Sequence, residues 1–227
     1  DLSPQGQLIF KLPNVGINSN TVLFRNKASQ GNPDENPADP EAGAFANKVL
    51  EYNPAPSQYM NTSYTAYEEG FTGIQVLARA TELLQDRTTC LFTLGGFGGN
   101  ITVGFDHTIP NVPGEYDFKI YGNAYYDMYG TLLDKPGGNS EPGIVLVSKD
   151  TNGNGLPDDE WYELAGSEYN SPATIRNYEI TYYRPTPADG DVKWKDNQGK
   201  EGYIYRNTYH TQGSYYPAWM PAEITLD

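Results

Sequence analysis

From residue 91 onward the side chains change character every second position, the period of a strand with one buried face. Ile101, Val103 and Phe105 alternate with Thr102 and Gly104, and Tyr116, Phe118 and Ile120 with Asp117 and Lys119. Ile144-Val145-Leu146-Val147 is unbroken, as expected of a strand covered on both sides. Tyr178, Ile180 and Tyr182 alternate again, and Tyr203-Ile204-Tyr205 is a short candidate strand. Many short strands separated by Gly, Pro and Asn turns predict an all-β protein, a β-sandwich or jelly roll with one or two short helices. Leu146 and Trp161 are expected to face its core.

One helix is predicted over 73–86. Thr72 and Gln75 form a capping box, Phe71 can staple against Val76, and Val76, Leu77, Ala80, Leu83 and Leu84 line one face. Residues 1–44 read as an irregular N-terminal segment, broken only by short apolar stretches at Leu8-Ile9-Phe10 and Val22-Leu23-Phe24. Pro33, Pro37 and Pro40 make its centre an exposed loop. Residues 45–227 read as a single sandwich domain.

Composition narrows the partners. Asp and Glu number 29 against 15 Lys and Arg, a net charge of −14, and the cations are not clustered. Nucleic acid is therefore excluded, since phosphate binding needs clustered cations. Nineteen tyrosines beside three methionines and one cysteine suit an exported β-rich protein. A lone Cys90 allows no internal disulfide, and its apolar surroundings make it a buried structural thiol. No apolar run approaches the roughly 20 residues of a transmembrane segment. The chain opens at Asp1 without a signal-like stretch, so an export signal is expected to have been removed or left out.

One segment carries recognisable chemistry. In Asp150-Thr151-Asn152-Gly153-Asn154-Gly155-Leu156-Pro157-Asp158-Asp159-Glu160, oxygen side chains recur at alternate positions. Calcium takes six to eight oxygens in flexible geometry. Asp150, Asn152, Asn154, the Leu156 carbonyl and Asp158 can supply most of them, with Asp159 or Glu160 replacing the bidentate Glu of an EF-hand, whose place is taken by Trp161. A bare Asn/Gly turn is the alternative. The clustered carboxylates favour Ca2+, in a structural role.

Other constellations fall short. His107 and His210 are isolated, whereas zinc wants three or four ligands. No Gly-x-Ser-x-Gly elbow is present. Leu94-Gly95-Gly96-Phe97-Gly98-Gly99-Asn100 lacks the Lys-Ser/Thr end of a phosphate loop and leads into a strand. Its glycines read as places of close backbone approach. Asp117 and Glu141 sit beside apolar strand patterns and read as structural. Aromatic groups at Tyr125, Tyr126 and Tyr129 and at Tyr215, Tyr216 and Trp219 can stack on a sugar or a flat macrocycle. The alternative is that they cover the sheet.

Several longer stretches resemble a known family. They are Tyr52-Asn53-Pro54-Ala55-Pro56, Gly98 to His107, Asp117 to Asn123, Ser140 to Val145 and Glu160 to Ser167. Together they are similar to Bacteroidetes "cell surface protein" lipoproteins, often described as carrying a PKD-type domain. The likeness spans roughly residues 45–220. It implies an accessory protein, lipid-anchored on the outer-membrane surface, found near TonB-dependent transporter loci that include corrinoid (cobalamin) uptake. Gly99 to Ser148 also resembles the sheet pattern of discoidin-like jelly rolls, with the calcium-type loop inserted between Val147-Ser148 and Trp161. Relatives continue past the point matching Thr225-Leu226-Asp227, which implies a chain shortened at its C-terminus. The expected function is non-enzymatic capture of a small molecule or glycan and its passage to an outer-membrane transporter. The rival expectations are a structural or adhesive module and, third, a polysaccharide-acting hydrolase.

Overall fold

The computed structural model describes residues 8–13, 23–26, 45–85, 91–105, 109, 113–114, 116–122, 124–126, 138–139, 142–211 and 213–227. It is an all-β protein of antiparallel sheets with one α-helix among the described residues, as the alternating runs imply. Among the described residues no helix is long and apolar enough to cross a membrane. Cys90, His107, Tyr129, Glu141 and the 32–40 loop lie outside the described residues.

The larger sheet has five strands in the order β3-β4-β1-β8-β9. These are β1 (Leu8–Pro13), β3 (Lys48–Asn53), β4 (Asn100–Gly104), β8 (Leu146–Lys149) and β9 (Trp161–Glu163). The irregular segment expected over 1–44 contains two strands, and its other residues lie outside the described residues. Its first apolar stretch is the middle strand, with Phe10 opposite Val103 on one side and Val147 on the other. Leu23 and Phe24 of its second lie in β2 (Leu23–Asn26), which pairs with β5 (Phe118–Tyr121). Two or three apolar residues are too few to show a period, yet enough to fill a place between partners from elsewhere in the chain.

Helix α1 (Gly73–Gln85) takes up the predicted span as far as it is described, residue 86 lying outside the described residues. Gln75 reaches back to the Thr72 backbone N–H, as a capping box requires. Val76, Ala80 and Leu84 are buried, and Thr81 accepts the Val49 N–H, which fixes the helix against β3. Together with Val49, Ile101, Val103 and Val147 they form the first core.

The second sheet runs β12-β11-β10-β13. Its strands are β10 (Ile180–Tyr183), β11 (Val192–Asp196), β12 (Glu201–Ile204) and β13 (Glu223–Leu226). One face buries Ile180, Tyr182, Val192, Ile224 and Leu226, with Ala55, Tyr215 and Tyr216 closing the second core. Tyr203 and Tyr205 face outward. The two cores meet at the glycine-rich segment. The Ala55 N–H donates to the Leu94 carbonyl at 2.9 Å, and the Tyr182 hydroxyl donates to the Phe97 carbonyl at 2.9 Å. These strand orders carry the sandwich character and do not establish a jelly roll.

Two details depart from the alternation. Register places Trp161 opposite Ser148 and Glu163 opposite Leu146, whereas Val147 faces Tyr162. Trp161 and Leu146 therefore stand on the other side of the sheet from Val147 and the first core, and both are half-buried. Tyr116 lies outside β5 and is almost fully exposed, while Phe118 and Ile120 pack on the first core.

Candidate functional site

The 150–160 segment joins β8 to β9. Its coil is set by Asp150, a buried carboxylate at the end of β8. One Asp150 oxygen accepts the N–H groups of Gly153 at 2.7 Å and Asn154 at 3.2 Å, and the other accepts Gly155 N–H at 2.8 Å. Such a loop needs left-handed backbone, which Gly153 and Gly155 supply, each at φ 72°. The Asn152 side-chain oxygen accepts the Asn154 N–H, and the Asn154 side-chain oxygen accepts the Leu156 N–H. Asp158 closes the ring. Its two oxygens accept the amide groups of Asn152 at 3.3 Å and Asn154 at 2.9 Å.

Asp150, Asn152, Asn154 and Asp158 are thus brought together, as their alternate spacing suggested. Asp159 and Glu160 are directed elsewhere. Asp159 accepts from the Thr151 N–H and hydroxyl, and Glu160 accepts from the Tyr162 hydroxyl, which raises the tyrosine's pKa. The Leu156 side chain is exposed. Among the described residues no three His, Cys, Asp or Glu side chains gather for a metal. The side chains brought together are two carboxylates and two amides, whose oxygens are of the hard kind that calcium accepts. Each amide oxygen engaged by one N–H keeps a second lone pair.

The aromatic residues divide differently from expectation. Tyr215 and Tyr216, read as stacking surfaces for a ligand, are core residues with 1% and 0% exposure. Their hydroxyls donate to the carbonyls of His210 at 2.7 Å and Pro221 at 2.6 Å. That reading is corrected, because a ring closed in on both faces offers nothing to stack on. Asn61 fastens this loop, donating to the carbonyls of Ser214 and Tyr216 and accepting the Ala218 N–H. Trp219 is half-buried and stacks on Tyr67, with ring centroids 5.4 Å apart at 22°. Tyr125 and Tyr126 form β6, which pairs with β7 (Gly138–Asn139), and Tyr129 lies outside the described residues.

A second aromatic group went unread in the sequence. Tyr59 donates to or accepts from His210 Nε2 at 3.0 Å, with ring centroids 4.5 Å apart, and Tyr64 packs edge-on against Tyr59 at 5.9 Å. Tyr209, the residue before His210 in the chain, is 90% exposed. The only linear hint was the richness in tyrosine around 59–67 and 203–216, because the two segments are joined by the fold alone.

Compared with known proteins, the chain matches no protein-family model and no curated sequence.

Proposed function

We propose that the protein is a non-enzymatic binding module of the bacterial cell surface, stabilised by calcium, that captures a small molecule or glycan for an outer-membrane transporter. The observation that carries this reading is the convergence of Asp150, Asn152, Asn154 and Asp158 in one glycine-coiled loop. With two carboxylates in the set, the loop belongs to the weakly binding end of calcium sites, which fill at extracellular calcium levels. The ion's role is mechanical. It would fix the three-residue strand β9, whose one strand neighbour among the described residues is β8.

The strongly raised tyrosine pKa values fit packing and not acid–base chemistry. Burial raises Tyr178 and Tyr216, each to about 12, within and around the second core. The burial of Tyr215 and Tyr216 favours, as a second reading, a structural or adhesive module.

Terbium titration tests the calcium loop, because Trp161 directly follows it and can sensitise lanthanide emission. Saturable emission displaced by calcium, with a calcium-dependent rise in melting temperature, is expected. Identical melting in calcium and in chelator sinks the calcium assignment. Binding is tested separately by titrating oligosaccharides and cyanocobalamin. A calcium response with no ligand would leave the structural module.

A further inference from the structure

We propose that Tyr59, Tyr64, Tyr209 and His210 form a subsite for a neutral pyranose ring, an inference that rests on the binding-module reading and names its ligand class. The group is assembled from two segments about 150 residues apart, tied by the Tyr59–His210 hydrogen bond (|i−j| = 151). Its exposed members are open to solvent, with Tyr64 47% and Tyr209 90% exposed.

The backbone beneath is held in an unusual conformation. Tyr59 has φ 66°, a left-handed value that costs a bulky residue free energy, and Asn61 follows at φ 56°. Such conformations persist where the surroundings over-determine them, and they concentrate at binding sites. Here the surroundings are explicit. Thr62 donates to the Tyr59 carbonyl at 2.6 Å, Ser57 N–H donates to the Tyr215 carbonyl at 3.0 Å, and Asn61 makes three hydrogen bonds to residues 214–218. Across the group, Asn207 accepts the N–H groups of Tyr209 and His210 and donates to the Gln58 side chain at 2.9 Å. Both walls are therefore set before a ligand arrives, which limits the ordering cost of binding.

Shape and charge select the ligand. The Tyr59 ring meets His210 at 60° and Tyr64 at 75°, so the surface is stepped. A wide flat macrocycle needs coplanar rings, whereas a single sugar presents one small apolar C–H face to one aromatic ring. The side chains of Gln58, which precedes Tyr59, and Asn207, two residues before Tyr209, are joined by a hydrogen bond and carry amide donors and acceptors of the kind ring hydroxyls need. A chain of net charge −14 repels polyanionic polysaccharides, which favours neutral hexoses.

The test is calorimetric titration of the full chain with cellohexaose, maltohexaose and mannohexaose. At least one is expected to bind. Tyr64→Ala and Tyr209→Ala should each weaken it by about tenfold or more, with the melting temperature of Tyr209→Ala unchanged because that side chain is 90% exposed. Tyr205→Ala serves as the control, being 70% exposed and outside the group, and should bind like wild type. Any other ranking, or no binding of all three sugars at about 10 mM, overturns the proposal. Cyanocobalamin titrated in parallel separates the two failures. If it binds and the sugars do not, only the pyranose subsite is wrong; if nothing binds, the binding-module reading falls with it.

Discussion

The α-carbon of Gly95 lies against the carbonyl of Ala55, so close that a Cβ there would sit 1.7 Å from the oxygen. The contact marks the seam between the two cores, since Ala55 belongs to the second and the adjacent Leu94 to the first. Gly95 also has φ 82°, so both space and backbone exclude any other residue.

Gly95→Ala is accordingly expected to cost about 4 kcal/mol or more, among the largest single-residue effects. Gly153→Ala, with φ 72° and nothing within 4 Å of its Cβ position, should cost only the left-handed backbone term, about 1–2 kcal/mol. Denaturant midpoints of the two variants check the contrast. Similar costs would mean that the seam is not as tight as described.

In the calcium loop, Asp150 and Asp158 should behave differently. Asp150 accepts three backbone N–H groups, so Asp150→Ala lowers the melting temperature both in calcium and in chelator. Among the described residues Asp158 accepts only the two asparagine amides, so Asp158→Ala should lose most of the calcium-dependent increment and little else. Differential scanning fluorimetry of both variants, with calcium and with chelator, decides it. An Asp158→Ala protein that keeps the full calcium increment removes Asp158 from the ligand set.

Tyr216 and Tyr209 are close in sequence and opposite in environment, at 0% and 90% exposure. Tyr216→Ala should cost about 3–5 kcal/mol through the cavity it leaves. It also removes the ring beneath the Arg184 guanidinium, which lies 4.8 Å from the ring centroid. Tyr209→Ala should stay within about 0.5 kcal/mol of wild type. Equal urea midpoints for the two would contradict the burial of Tyr216.

Alkaline pH should weaken the second core in a defined window. Burial, and next the hydrogen bond to Asp196, raise Tyr178 from 10.0 to about 12. A folded-state pKa above the unfolded value means that the protonated tyrosine is favoured on folding. Its contribution is whole below pH 10 and is lost as pH rises from 10 to about 12. Tyr178→Phe should flatten the fall of stability across that range, leaving the shares due to Tyr216, which burial raises to about 12, and to Tyr182, which burial also raises. Chemical denaturation at several alkaline pH values, with an unaltered slope for the variant, would show that Tyr178 takes no part.

By itself the sequence determined the elements with strong local signals. Thr72 and Gln75 announced the helix, the alternation from Ile101 to Phe105 announced β4, and Asp150 to Asp158 announced the coiled loop, because each is decided by neighbours a few residues away. The tertiary structure alone decided the rest. It made Leu8–Pro13 a middle strand, although its apolar stretch is too short to show a period. It turned Trp161 away from the first core through a register that only the partner strand sets. It buried Tyr215 and Tyr216 and left Tyr64 and Tyr209 open. Tyrosine is compatible with either place, being apolar in its ring and polar at its tip. Which tyrosines meet solvent therefore depends on the packing of segments some 150 residues apart, a relation that local spacing does not encode.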